Sequence, residues 1–319
     1  MRLLLSFRGL SPGTQVFLLI LIVMFCGIMS LAVAYLLSMA VWGREVLLPA
    51  GSPAAMNLNF MRLTQIVNQL GFFVIPPLLL AWISESSPKK FLGFSKPKAI
   101  HLLITVALVA AAGPSIGALI EWNERLVLPG WLSGIEHWMR NAENTAAGLT
   151  ERLLEIKTTG GLVINIVMIG LLPAIGEELL FRSAFIGIFR KICKGIHLPV
   201  ILSAVIFSAL HLQFFGFFPR LMLGIAFGYL FVWSGSIWVP ALAHFINNTT
   251  VVVASYLFSR GAISVGAEDL GKTDSTAWIV ISALTCILLI SLVYRTRREE
   301  PSSAVAASIS PNKNAVYED

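Results

Sequence analysis

The sequence predicts an all-α membrane protein of about eight transmembrane helices, and three observations lead there. Of its 319 residues, 56% are hydrophobic and only 13% are charged, with a mean hydropathy of +0.81. Apolar runs close to the roughly 18-residue spanning length recur along the whole chain. Lys and Arg collect before the first run and after the second, fourth and eighth, the asymmetry expected when helices alternate across a bilayer. The net charge of +6 is then a topology signal and not a nucleic-acid footprint.

The spans are expected at about 14–41, 60–83, 99–120, 161–189, 197–214, 219–234, 237–258 and 277–294. Arg2 and Arg8 precede the first; Lys89, Lys90, Lys96 and Lys98 follow the second. Arg190, Lys191 and Lys194 follow the fourth, and Arg295, Arg297 and Arg298 follow the eighth. With eight alternating helices these clusters share one side, which puts both termini in the cytoplasm and the protein in the cell (inner) membrane. The first span is too long for a signal-peptide core and its basic flank suits a retained anchor, although Ser38-Met39-Ala40 is a faint cleavage-like triplet. Residues 121–160 carry six Glu against three Arg and one Lys, with Trp122, Trp131 and Trp138 among them. That composition reads as an amphipathic helix at the outer interface, or as a lid over a site. Gly224 and Gly228 form a G-x-x-x-G suited to close helix packing. Cys26, Cys193 and Cys286 share no metal-ligand spacing and read as small core residues. The tail after Arg298, rich in Ser, Ala and Asn, reads as disordered. Four regions result: N-terminal helices in 1–120, an extracytoplasmic linker in 121–160, a core in 161–258, and a last helix with its tail in 259–319.

Ionisable side chains at mid-span are few and grouped. Glu177, Glu178 and Arg182 lie in the fourth expected span, His211 in the fifth and His244 in the seventh. A charged side chain near the bilayer centre costs roughly 2.5–3.5 kcal/mol, so such a cluster persists only where its members pair or face a wet interior. All but Glu177 have a companion four residues away on the same helix face: Glu178 with Arg182, Phe207 with His211, His244 with Asn248. At 1.5 Å per residue, Glu177 and His211 lie about 20 Å from the cytoplasmic ends and His244 about 10 Å, a difference that helix tilt can close. Pro173 removes a backbone hydrogen bond and kinks its helix just ahead of Glu177, a feature membranes tolerate beside cavities or where neighbours satisfy the freed carbonyl.

Such a set can activate water. A carboxylate and a histidine sharing one water act as general base and polarising partner, and a second histidine with an asparagine amide offers donors to an oxyanion. Glu177 is the candidate base, and Glu178 with Arg182 the supporting pair; the reaction that fits is amide hydrolysis in a membrane-associated polypeptide. Taken singly, each piece also has a plain structural use: a packed histidine, an ion pair, an interhelical amide. A proton-coupled transporter would bury similar groups, but in two corresponding halves of the chain, whereas here they occupy one. Glu177, His211 and His244 would also suit Zn²⁺ as a two-His, one-carboxylate set. The sequence has no H-E-x-x-H, and metal-dependent and metal-independent chemistry both fit it.

E-E-x-x-x-R (Glu177, Glu178, Arg182), F-x-x-x-H (Phe207, His211) and H-x-x-x-N (His244, Asn248) resemble, in order, the motif series of the CPBP intramembrane proteases. That family is also called the type II CAAX prenyl protease or ABI family. The resemblance covers about 161–258; the first three spans and the eighth carry no matching motif. It implies an eight-helix enzyme with an intramembrane active site among helices four, five and seven, opening toward the cytoplasm. It implies that Glu177 and His211 activate water, that His244 and Asn248 form an oxyanion hole, and that Glu178 and Arg182 support them. Asn247 adjoins Asn248, and the spacing favours Asn248. The implied partners are the lipid bilayer and a membrane-associated or lipidated polypeptide substrate, with no nucleic acid. Some members of the family serve as scaffolds or in bacteriocin immunity, which keeps a non-catalytic alternative open.

Overall fold

A computed structural model describes residues 9–44, 56–156, 158–266 and 269–298. The expected disordered tail and the first basic cluster lie outside the described residues. Among those described, every regular element is helical: α1 (Pro12–Trp42), α2 (Leu58–Ser84), α3 (Ala99–Glu124), α4 (Ser133–Leu154), α5 (Thr159–Ile192), α6 (His197–Ala209), α7 (Phe217–Ser234), α8 (Trp238–Ser259) and α9 (Thr276–Arg295). Local chemistry starts several of them. Ser11, Asn57, Thr158 and Ser275 each accept a backbone N–H of the first turn, and Pro12 opens α1 where its missing N–H costs nothing.

Among the described residues, seven helices are long and apolar enough to cross a membrane: α1, α2, α3, α5, α7, α8 and α9. The fifth expected span, 197–214, is helical only over the 13 residues of α6, about 20 Å. Beyond Ala209 the chain turns at His211-Leu212, where Leu212 adopts the left-handed conformation with φ 53°. A non-glycine residue held there is uncommon and marks a site that its surroundings fix.

The basic clusters of the described chain gather at one end of the bundle. Lys98 donates to the Thr296 carbonyl at 2.8 Å, Arg298 hydrogen-bonds to the Lys96 carbonyl, and the Ile237 N–H reaches Gly93 at 2.9 Å. Lys191 donates to Gln15 at 3.0 Å and pairs with Glu85. The 121–160 region occupies the opposite end, where Asn165 donates to Leu153 and Ser259 to Ile156 at 3.1 Å.

Two helices are distorted on the way to the site. In α2 a π-helical stretch, Gln69–Val74, precedes Pro76 and Pro77; in α5 another, Ile166–Leu171, precedes Pro173. A third π-helical stretch, Glu178–Ile186, carries Glu178 and Arg182. Wider turns of this kind accommodate a residue that cannot donate, and they recur at functional sites. Gly176 lets the two distorted helices meet, since a Cβ there would stand 3.0 Å from Phe73 Cβ. Gly224 and Gly228 pack α7 on α6 as the G-x-x-x-G predicts: a Cβ at Gly228 would lie 2.7 Å from Val200.

Candidate active site

Arg182 organises the interior. It is 1% exposed, its Nε lies 3.0 Å from Glu178 Oε2, and Glu178 is fully buried. The guanidinium stands over the Phe207 ring at 4.7 Å and the Phe227 ring at 5.6 Å. A cation over aromatic faces, beside a carboxylate in a water-poor interior, is attracted by both. Glu178 turns its other oxygen to His244, whose Nδ1 donates to Oε1 at 2.9 Å. The Nδ1 proton is thereby assigned, and His244 Nε2 is left facing Glu177 Oε2 at 3.8 Å.

His211 is oriented by the same logic from α6. Its Nδ1 donates to the Phe207 carbonyl at 2.8 Å, so in the neutral ring Nε2 carries the lone pair. The imidazole also packs edge-on against Phe207, with centroids 4.9 Å apart. Phe207 therefore touches His211, Arg182 and, at 6.3 Å, His244. The F-x-x-x-H spacing puts both residues on one helix face, and the contact explains why that face carries a phenyl ring. The turn bearing His211 is held from outside as well. Buried Asn123 donates to the Phe214 carbonyl at 3.2 Å and accepts from the Phe218 N–H at 3.0 Å. Glu143 of α4 accepts from the Phe215 N–H at 3.2 Å, Arg140 lies 4.3 Å over the Phe215 ring, and Trp138 packs on Phe214.

Asn248 does more than its motif suggests. Its Nδ2 donates to the Ile169 carbonyl at 3.0 Å. Ile169 lies four residues before Pro173, so it is the carbonyl that proline leaves without an α-helical donor. One amide N–H thus repairs the helix, and one remains. Asn247 donates to Asn248 Oδ1 at 3.2 Å.

Glu177, Phe207, His211, His244 and Asn248 line one cavity of about 240 Å³, while Glu178 and Arg182 stand behind its wall. The residues expected to converge from three helices do so, and His244 and Glu177 meet across the cavity at 3.8 Å despite their different distances along their helices. Sequence reading missed Gln65, Gln69, Asn247 as a lining residue, and Arg220. Buried Gln69 donates to Glu177 Oε1 at 3.2 Å, leaving Oε2 for the cavity. Arg220 is seated by two hydrogen bonds to Gln213, at 3.2 and 2.6 Å. A search for ionisable groups at mid-span passes over neutral glutamines; the Gln65/Gln69 pair at i, i+4 in the second span was the available signal.

The fit to a metal is poor. Among the described residues no group of three or more His, Cys, Asp or Glu side chains is arranged to hold an ion. One lone pair of the Glu177 carboxylate already meets an amide donor.

Residues 159–250 match the family described as type II CAAX prenyl endopeptidase, Rce1-like. A curated Bacillus subtilis (strain 168) relative, YdiL, whose name assigns it provisionally as a membrane peptidase, is 28% identical over 149 residues. That alignment covers 44% of this chain and 57% of the relative, so the chain spans a little over half of the length of the protein it matches. No solved structure matches.

Proposed function

We propose that the protein is an intramembrane endopeptidase, because the segment that holds most of this site matches the type II CAAX prenyl endopeptidase family. It hydrolyses a peptide bond in a membrane-associated or lipidated polypeptide. The observation that carries the reading is the convergence of Glu177, His211 Nε2 and His244 Nε2 on one cavity. A water between Glu177 and His211 Nε2 gives up a proton as its oxygen attacks the scissile carbonyl carbon. The carbonyl oxygen becomes an oxyanion, which accepts from the remaining Asn248 N–H and from His244 Nε2–H in its imidazolium form. Collapse of the tetrahedral intermediate breaks the C–N bond, and the proton taken from water passes to the leaving amine. Gln69 fixes which carboxylate oxygen of Glu177 faces the water, and the Glu178–Arg182 pair fixes His244; both act through other residues. The distribution of the basic clusters supports an orientation with both termini in the cytoplasm of a cell-membrane protein.

The test compares peptide termini in membranes of cells carrying wild-type protein and Glu177→Gln at equal expression. Termini present with wild type and lost in the variant support hydrolysis and identify the substrate. Unchanged termini at full expression would leave the buried carboxylates as architecture.

A further inference from the structure

We infer that the chamber is served from the extracytoplasmic face, so that its substrates are exported or outer-leaflet polypeptides. The inference rests on the endopeptidase reading for what the chamber does, but its geometry stands alone. Two expectations from the sequence conflict here: basic clusters in the cytoplasm, and a site opening toward the cytoplasm. The structure assigns the chamber to the other end.

The first observation is packing. Between the basic end and the cavity the bundle is filled. Phe181, Ala184 and Ile188 of α5, Leu230 of α7, and Val239 and Ala243 of α8 are at most 1% exposed. Ser183 donates at 2.7 Å to the Leu92 carbonyl, and Ile237 binds Gly93, which ties the loop after α2 across that end. A close-packed interior of this kind has no room for an extended peptide.

The second observation is depth. Gln65 lies 19 residues from Ser84, the basic end of α2, and Arg220 lies 14 residues from Ser234, the basic end of α7. At 1.5 Å per residue these are about 28 and 21 Å, against a hydrocarbon thickness of about 30 Å. Both line the cavity, and Arg220 stands in the first turn of its helix at the far surface. His211, Gln213 and Arg220 are half-buried there, whereas the wall facing the basic end is closed. The positive-inside rule makes the basic end cytoplasmic, so the far surface is extracytoplasmic.

Single cysteines report this directly. In a chain carrying Cys26→Ala, Cys193→Ser and Cys286→Ala, we would introduce Trp131→Cys, Gln65→Cys or Lys194→Cys and treat spheroplasts with a membrane-impermeant maleimide. The same labelling in permeabilised membranes gives the reference. Trp131→Cys and Gln65→Cys are expected to label fully in intact spheroplasts, and Lys194→Cys only after permeabilisation. Gln65→Cys that labels only after permeabilisation, or from neither side, overturns the inference, as does reversal of the two surface markers. If the cysteine-substituted background does not accumulate, label gained over the native-cysteine chain gives the same comparison. Labelling needs no catalysis, so this result and the endopeptidase reading fail independently.

Discussion

Replacing Asn248 by Ala removes the donor that the Ile169 carbonyl receives at 3.0 Å. With Pro173 four residues further on, no α-helical N–H takes its place. A buried polar group left without a partner costs about 1–3 kcal/mol, with the upper part of that range expected in apolar surroundings. Pro173→Ala restores an N–H at that position, and a backbone hydrogen bond is worth about 1 kcal/mol net. Asn248→Ala should therefore cost about 1–3 kcal/mol in the native background and about 1 kcal/mol less beside Pro173→Ala. The assay is a double-mutant cycle of four proteins unfolded in detergent micelles and followed by tryptophan fluorescence. Losses that add to within about 0.3 kcal/mol would refute the reasoning, because Asn248 would then not be serving that carbonyl. Cleavage read on the same four proteins separates the two amide hydrogens. Stability rescued without activity means the second N–H acts on the substrate.

Arg182→Met should lower stability by about 3–5 kcal/mol by stranding buried Glu178, and the double change with Glu178→Gln should lose less; accumulation and thermal midpoints in detergent check both. Gln69→Leu should leave the fold intact but slow cleavage, by an amount set by the roughly 1.5–3 kcal/mol of a hydrogen bond to a charged group; product termini per unit of protein report it. Asn123→Ala should speed backbone hydrogen exchange at 211–218, the segment it clamps from both sides, and unchanged exchange there would remove that role. At the exposed end, Arg140 and the Leu128 N–H hold the Glu136 carboxyl below the usual carboxylate range. A lowered carboxylate stabilises the fold above its unfolded value and loses that contribution as pH falls through its folded one. Protection factors over 126–140, corrected for the intrinsic pH dependence of exchange, should therefore fall under acid, and Glu136→Gln should remove that fall.

Much of this was legible. Long apolar runs are the membrane's own length scale, so the spanning helices could be counted. The rarity of charge at depth isolated Glu177, Glu178, Arg182, His211 and His244, because such groups are too costly to occur there casually. What stayed hidden was relational. The early stop of α6 depends on the left-handed turn at Leu212, which apolar composition does not announce. Gln69 contributes through one hydrogen bond to a residue 108 positions away, and no local pattern marks such a partner. The i, i+4 logic paired His244 with Asn248, yet both side chains hydrogen-bond to another helix, α5, at Glu178 and Ile169. Helix-face spacing reports which side chains look the same way, and it does not tell what they meet.

The repair of Ile169 by Asn248 bears on how inactive descendants of such a chain would look. An asparagine kept for catalysis alone drifts once catalysis is no longer selected. One that also closes a break in the backbone stays, because its loss is felt in folding before it is felt in turnover. The same holds for Arg182, whose removal strands a buried carboxylate. His211 has such a duty too, since its Nδ1 serves the Phe207 carbonyl; Glu177 can be exchanged without leaving a helix carbonyl unpaired. Among relatives that retain the arginine, the asparagine and the first histidine, it is the glutamate whose exchange would mark loss of the proposed chemistry.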